Sequence, residues 1–458
     1  MKRIAVAALA FAICLVTFPA FAQGRSMALE IDSGYVLISS EGAELTRPGE
    51  YAYIQPASQD DTQGENTLFI ARPAYDETSS DLYLLMDNDG KALTEPVYDY
   101  LYEENGMIYF TQNRLQGVMD RDLNVVVPAE YTALAPNGEG GYLALNSDPY
   151  DDRPDGVYFI DAQGAETATG VSVLYGLGVF SDGLMPAIAA DTSRMGCLDT
   201  RGNWAIQPQF DYVGPFAAGR AEATLDSGCG LIDTGGNWLV TPKYNYISTN
   251  GSTTGNGGGN MIIALSNEGT VELIDSADYH VKKTFRGDNL SISAYFDMDY
   301  AILYTDDAIT LIDAEGEEVL STVSQGYIDL WSDMNGRAIV RRAAWGENCV
   351  YLCALTGEDV AGPYRDISYL CNQDGRAYFT VSDFEVHVNE GEGGWQELWE
   401  VDGTRKMGVI DQDGNTVIEM GAYSRIESLG GGFLMVQTAN ERGIVDLQNN
   451  YLARYSIE

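Results

Sequence analysis

Residues 195–226 read MGCLDTRGNWAIQPQFDYVGPFAAGRAEATLD, and residues 229–248 read CGLIDTGGNWLVTPKYNYIS. Set 34 residues apart, Gly196 falls on Gly230, Asp199 on Asp233, Thr200 on Thr234 and Gly202 on Gly236. Asn203, Trp204 and Pro208 fall on Asn237, Trp238 and Pro242 in the same frame. Chance does not produce that density of matches, so the segment is one structural unit written twice.

The chemistry of the unit is legible. Two apolar residues precede the aspartate, as in Leu273-Ile274-Asp275 and Leu311-Ile312-Asp313, and form a short strand. Asp-x-x-Gly predicts a hairpin turn, in which the carboxylate accepts from a backbone N–H two residues on and glycine supplies positive φ. Asp199, Gly202, Asp233, Gly236, Asp411 and Gly414 are the clearest of these structural turn residues. An alternating return strand follows from Trp204, with Pro208 expected to end its ladder. Phe210-Asp-Tyr212-Val213 makes a third segment, Phe216-Ala-Ala-Gly219 a turn, and Arg220 to Leu225 a fourth strand. With the aspartate as a ruler, copies fall at Ser39, Asp87, Asp120, Asp161, Asp199, Asp233, Asp275, Asp313, Ala354, Asp411 and Asp446, about 41 residues apart. The expected fold is all-β. It consists of tandem repeats of about 41 residues, each a short antiparallel meander, running over residues 23–458 in about eleven copies and clearest at 81–247.

Three recurring pieces resemble the WG (KWG) repeat family. Gly196-Cys-Leu-Asp199 and Gly408-Val-Ile-Asp411 fit the opening of its unit, and Pro208-Gln-Phe210-Asp211 and Pro96-Val-Tyr98-Asp99 fit the middle. Phe180-Ser-Asp-Gly183-Leu-Met-Pro-Ala187 fits the end. The tryptophan that precedes the opening glycine in the family is replaced here by Met195, Cys229, Gln116, Met407 or Arg442. The Trp-Gly pair that does occur, Trp345-Gly346, stands off register. The resemblance implies an extracytoplasmic repeat module with no established reaction.

Four-stranded units of this length favour β-propeller blades, with a β-solenoid or superhelix as the alternative. The ends favour closure: the last copy, Arg442 to Ser456, spans about half a unit, and Met27 to Ile31 precedes the first copy like an orphan strand. Pairing of those two would close a ring. The Gly/Ser/Asn/Thr-rich run Thr249–Asn260 reads as a long loop within one unit, because Met261 to Leu265 supplies the missing strand after it.

Composition narrows the partners. Asp+Glu number 68 against 26 Lys+Arg, a formal charge of −42 over 458 residues, which repels phosphate backbones and anionic lipid surfaces. Met1-Lys-Arg3, the apolar run Ile4–Phe18 and Ala20-Phe-Ala22 read as a signal peptide over residues 1–22, cleaved after Ala22. Loss of Lys2 and Arg3 takes the charge from −42 to −44. No later apolar stretch is long enough to span a bilayer, so the mature chain is expected to be exported and extracellular, at the cell surface or periplasmic. Export permits disulfides among Cys197, Cys229, Cys349, Cys353 and Cys371. Cys353–Cys371 and Cys197–Cys229 are the candidate pairs, and small buried thiols are the alternative.

Catalytic candidates are few. His280 and His387 are the two histidines, both on alternating strands, and no nucleophile elbow, zinc-protease motif or phosphate-binding glycine loop appears. Asp87-Asn-Asp89-Gly90 and Asp411-Gln-Asp413-Gly414 place their glycine too early for an EF-hand and read as turns. Asp148, Asp151, Asp152 and Asp155 are dense enough to hold Ca²⁺ or to form a solvated acidic loop. An extra loop near residues 388–406 carries Trp395 and Trp399, which with Trp345 are the candidate binding aromatics if they do not pack on neighbours. The expected function is non-enzymatic recognition of an extracellular protein or glycan. A carbohydrate-active hydrolase using a carboxylate pair, and a structural or self-assembling surface protein, are the alternatives.

Overall fold

The computed structural model describes residues 24–58, 67–74, 81–147, 154–174, 176–226, 228–248, 261–295, 300–323, 326–329, 337–344, 347–390 and 396–457. The expected leader over residues 1–22 and the run Thr249–Asn260 lie outside them. Among the described residues there are strands and turns and no helix, arranged as antiparallel meanders.

The third sheet shows the plan. Its strands Tyr100–Glu104, Met107–Gln112, Leu115–Asp120 and Val125–Tyr131 pair in chain order, each antiparallel to the last. Ile108, Phe110 and Met119 are buried toward the second sheet and Tyr109, Val118 and Val127 toward the fourth, as a pleat covered on both faces requires. Among the described residues eight further units follow the same four-stranded plan. The first unit has two strands and the second three, with return segments joined by isolated bridges, and every ruler residue closes, or directly follows, the strand before its turn. Two pairs of units are joined: Tyr35 pairs with Tyr51 between the first and second, and the long strand Trp238–Ser248 serves the sixth and seventh.

Sequence repeat and sheet are half a unit out of phase. The return strand Trp204–Phe210 ends the fifth sheet, and Tyr212–Val213 begins the sixth. This corrects the expectation for the ends. The eleventh sheet is complete in itself, with strands Arg425–Gly430, Phe433–Gln437, Glu441–Asp446 and Tyr451–Ser456. Ser26–Ile31 pairs with Gly34–Ser39 of its own sheet, so no strand is exchanged at closure.

Closure is by packing instead. Each sheet buries an apolar face against the next, and the cluster that joins the last to the first holds Met27, Leu29, Ile31, Val36 and Ile38 against Phe433, Met435 and Ile444. Buried Arg25 donates to the Leu429 carbonyl at 2.9 Å, Arg442 to the Glu30 carbonyl at 3.0 Å, and Tyr455 to Glu44 at 2.5 Å. A solenoid would leave its terminal sheets uncovered; here the first covers the last, in the manner of a propeller.

The proline of the unit does not end its strand. Strand Trp204–Phe210 runs through Pro208, and the ladder to Met195–Leu198 skips register there, pairing Cys197 with Ile206 and Met195 with Phe210. A bulge on an edge strand accepts a residue without an N–H, so the strand continues where an unbroken ladder would have stopped. The bulge also explains the opening glycine. A Cβ on Gly196 would meet the Ile206 carbonyl oxygen at 2.3 Å, and one on Gly230 would meet that of Val240 at 2.3 Å.

Among the described residues, Cys197, Cys229, Cys349, Cys353 and Cys371 form no disulfide. Cys197 faces the core between the fifth and sixth sheets, whereas Cys229 faces the core between the sixth and seventh. Cys353 packs toward the eighth sheet and Cys371 lies on the tenth, so the ninth sheet separates them. Alternation of side chains across a strand puts both candidate pairs on opposite faces.

Candidate functional site

In a meander of four strands, the first-to-second and third-to-fourth turns share one end, which the Asp turns mark. The second-to-third hairpins and the crossovers to the next sheet share the other. Asp199 Oδ1 accepts from the N–H groups of Arg201 and Asn203 at 2.9 Å each, and Gly202 has φ +81°. Asp233 repeats this with Gly235 and Asn237, and Asp411 with Asp413 and Asn415, ahead of Gly236 (φ +80°) and Gly414 (φ +79°). Hydrogen bonds from Asn237 hold the Asp233 carboxyl below the usual range. At Asp411 burial pulls upward, and the bonds from Asn415 and Arg376 outweigh it, leaving the carboxyl lowered. These carboxylates are engaged in holding turns.

A recess lies at that same end between the fifth and sixth sheets. It has a volume of about 400 Å³ and is lined by Gly178, Val179, Phe180, Pro186, Val213 and Pro215, with Ser181 and Asp182. Phe180-Ser-Asp-Gly183 and Phe216-Ala-Ala-Gly219 are equivalent turns of successive units, and the recess forms where they meet. Ser181 Oγ donates to the Phe216 carbonyl, and Asp182 Oδ2 accepts from the Gly219 N–H at 2.7 Å. Phe216 is buried beneath, while Val179 stands 66% exposed at the mouth. Sequence reasoning had singled out these turns as punctuation. The cue to a site was Val179, an aliphatic residue just before a tight turn where polar residues are usual.

The other expected residues are placed as follows. Trp345, Trp395, Asp148, Asp151 and Asp152 lie outside the described residues. Asp155 sits exposed just before strand Gly156–Ile160. The extra loop is a hairpin, Val386–Glu390 paired with Gln396–Glu400, which sets Trp399 across from His387 in register. It is inserted between the second and third strands of the tenth sheet, at the end opposite the Asp turns. Arg405 braces its base, bonding Glu400 at 2.9 Å and covering the Phe384 ring at 4.5 Å.

Two titratable groupings went unread in the sequence. Asp275, Asp278 and His280 bring ligand atoms within 4.8 Å of one another on an exposed turn, spacing that a divalent cation could use. The Asp278 carboxylate is bonded to the His280 ring, raising the imidazole and lowering the carboxyl, and Asp275 accepts from the Ala277 N–H. Between the sixth and seventh sheets, burial raises Glu222, and the Cys229 thiol donates to the Asn245 carbonyl at 3.4 Å. Burial likewise pushes the Cys197 thiol up to about 12, away from the reactive thiolate.

The profile of the WG containing repeat matches residues 195–228, 230–251 and 407–441. Those three stretches are WG repeats. The matched stretches hold the opening glycines, the Asp turns and the Phe216 side of the recess. No curated protein matches the chain. Among solved structures, the chain is similar to a eukaryotic initiation factor, with TM-score 0.43, 12% identity, and 78% of this chain and 96% of that chain covered. It is also similar to BamB from Moraxella catarrhalis, with TM-score 0.31, 12% identity and coverage of 61% and 92%. A third is apo AztD from Citrobacter koseri, with TM-score 0.30, 11% identity and coverage of 66% and 94%.

Proposed function

We propose that this WG-repeat chain is an exported, non-enzymatic protein that binds extracellular protein or glycan partners. The observation that carries the reading is the recess between the fifth and sixth sheets. Its walls are apolar, and its two polar side chains, Ser181 and Asp182, are both bonded across to the next turn. A site of this kind holds a ligand by shape and burial, with little left over to move a proton. Its size suits one protruding side chain or ring. Export rests on the leader read over residues 1–22, and no helix of the described residues is long and apolar enough to cross a membrane. The test is a displayed-peptide library and an oligosaccharide array, each screened with the wild-type chain and with Val179→Asp. Wild type should select ligands whose affinity falls at least tenfold in the variant. Ligands that bind both equally would sink the recess as the site. Turnover of a bound glycan that disappears when two neighbouring acids are replaced would establish the hydrolase instead.

A further inference from the structure

A second aromatic feature lies at the opposite end of the molecule, and the repeat frame explains how it arises. Four residues before the ruler position is the register that carries tryptophan in the repeat family. Most copies here have lost the aromatic ring there, but the first two have Tyr35, before Ser39, and Tyr83, before Asp87. Both open a third strand, at the hairpin end. From this register a side chain reaches the following sheet. Gln116 accepts from the Leu134 N–H at 2.8 Å in this way, and Arg442 bonds the Glu30 carbonyl. In the first copy the reach is made by a ring. Tyr35 meets Tyr53, on strand Tyr51–Pro56, edge to face at 5.6 Å, and Tyr53 meets Tyr83 edge to face at 6.0 Å. Tyr100, which opens the first strand of the third sheet, is near enough to act on the Tyr53 hydroxyl and is itself 55% exposed.

The row is neither core nor bare. Tyr35, Tyr53 and Tyr83 are each half-buried, so their rings are fixed while part of each stays open to solvent. Polar groups sit at their edges. Gln55 accepts from the Tyr53 hydroxyl, and the Arg72 guanidinium stands 6.0 Å from the Tyr83 ring centroid while pairing with exposed Asp81 at 3.4 Å. Ring faces alternating with an amide, a guanidinium and a carboxylate suit a ligand that is itself apolar on its faces and hydroxylated around its rim. A protein hot spot would instead centre on a fully desolvated pocket. The charge of −42 selects further, since it disfavours uronate or sulfated polymers.

We propose that Tyr35, Tyr53 and Tyr83, extended by Tyr100 and edged by Gln55 and Arg72, form a stacking platform for a neutral polysaccharide. The platform takes up the glycan half of the proposed function but occupies a different end of the molecule from the recess. The full chain is run through native gels cast with a soluble β-glucan, with mannan, or with alginate as the acidic control. Retardation by at least one neutral polymer and not by alginate is expected. Tyr83→Ala and Tyr100→Ala should each weaken it about tenfold or more, whereas Tyr83→Phe, which keeps the ring face, should stay within about threefold. Tyr100→Ala touches an exposed residue and so remains informative if Tyr83→Ala unfolds. Val179→Asp should leave retardation unchanged. No retardation by either neutral polymer, retardation only by alginate, or retardation that both Ala variants leave intact would each overturn the platform. Loss in Val179→Asp alone would also overturn it, while leaving the recess as the glycan site. A protein ligand lost in Tyr83→Ala without any glycan binding would replace it with a protein-docking surface.

Discussion

The sixth sheet and the second are built on the same plan and use it differently. In the sixth, the opening Gly230 lets the bulged return strand press against the third strand, and Asp233 and Gly236 close the turn. In the second, Leu84 stands where the opening glycine would be, and the return segment meets the third strand through the isolated bridges Met86–Ala92 and Tyr83–Tyr98. Without a carbonyl pressed onto it, that strand carries large side chains, and Tyr83 both packs against the core between the second and third sheets and joins the ring row. The contrast separates two kinds of residue. Those that recur are engaged inside the sheet, and those that break the recurrence are free to face a ligand.

The largest expected effect lies on the recurring side. Gly236 has φ +80°, and a Cβ there would meet Ile206 Cγ2 of the preceding sheet at 2.9 Å. Gly236→Val therefore combines backbone strain of about 1–3 kcal/mol with an overpacking cost of about 1–3 kcal/mol. Gly219, in the turn beside the recess, has φ +77° but nothing within 4 Å of its Cβ, so Gly219→Ala carries the strain alone. Urea unfolding should rank Gly236→Val well below Gly219→Ala, and Gly219→Ala below wild type. Equal losses would mean that contact between sheets contributes nothing at this turn.

A smaller effect is expected where the two ends of the chain meet. The Arg25 side chain lies against Gly430 and Gly431, where any Cβ would come within 3.0 Å of a guanidinium nitrogen, and it donates to the Leu429 carbonyl. Removing a charge-assisted hydrogen bond of this kind costs about 1.5–3 kcal/mol. Arg25→Ala should raise hydrogen exchange in the first and eleventh sheets and leave the fifth and sixth near wild type, because units that touch only their neighbours can loosen locally. Uniform exchange through all sheets would show that the ring opens as one cooperative body.

Much of the frame was legible because its residues act locally. Asp-x-x-Gly fixes a turn within four residues, and alternation of apolar side chains fixes which face is covered, so the meander needs no knowledge of the rest of the chain. The phase between repeat and sheet was not legible, since Pro208 looks like a strand end until the bulge that accommodates it is seen. Closure was misread for the same reason: the terminal strands appeared unpaired only because the unit had been cut half a sheet too late. The recess and the tyrosine row depend on what an adjacent sheet brings near, as with Phe180 beside Pro215 or Tyr35 beside Tyr53. Sequence spacing carries no record of such meetings across sheets.

The smallest expected effect tests whether the turns hold by charge or by shape. Asp233 accepts from two backbone N–H groups and from the Asn237 amide, and its carboxyl is lowered in the folded chain. A carboxyl whose pKa is lower folded than unfolded stabilises above its unfolded value, about 3.9, and loses that contribution as pH falls through the folded value. The first sheet has Ser39 at the same position, where the hydroxyl accepts from the N–H groups of Glu41 and Ala43 at 3.3 and 3.1 Å and does not titrate. Acidification from pH 6 to pH 3 slows intrinsic amide exchange everywhere, so the readout is the protection factor, the intrinsic rate at each pH divided by the observed one. It should fall at residues 235–237 and stay comparatively unchanged at residues 41–43. Asp233→Asn should show the lower protection already at pH 6 and flatten its pH dependence, since an amide keeps the shape of the turn without the charge. If protection at residues 235–237 is as flat in wild type as at residues 41–43, the aspartate recurs for its geometry alone.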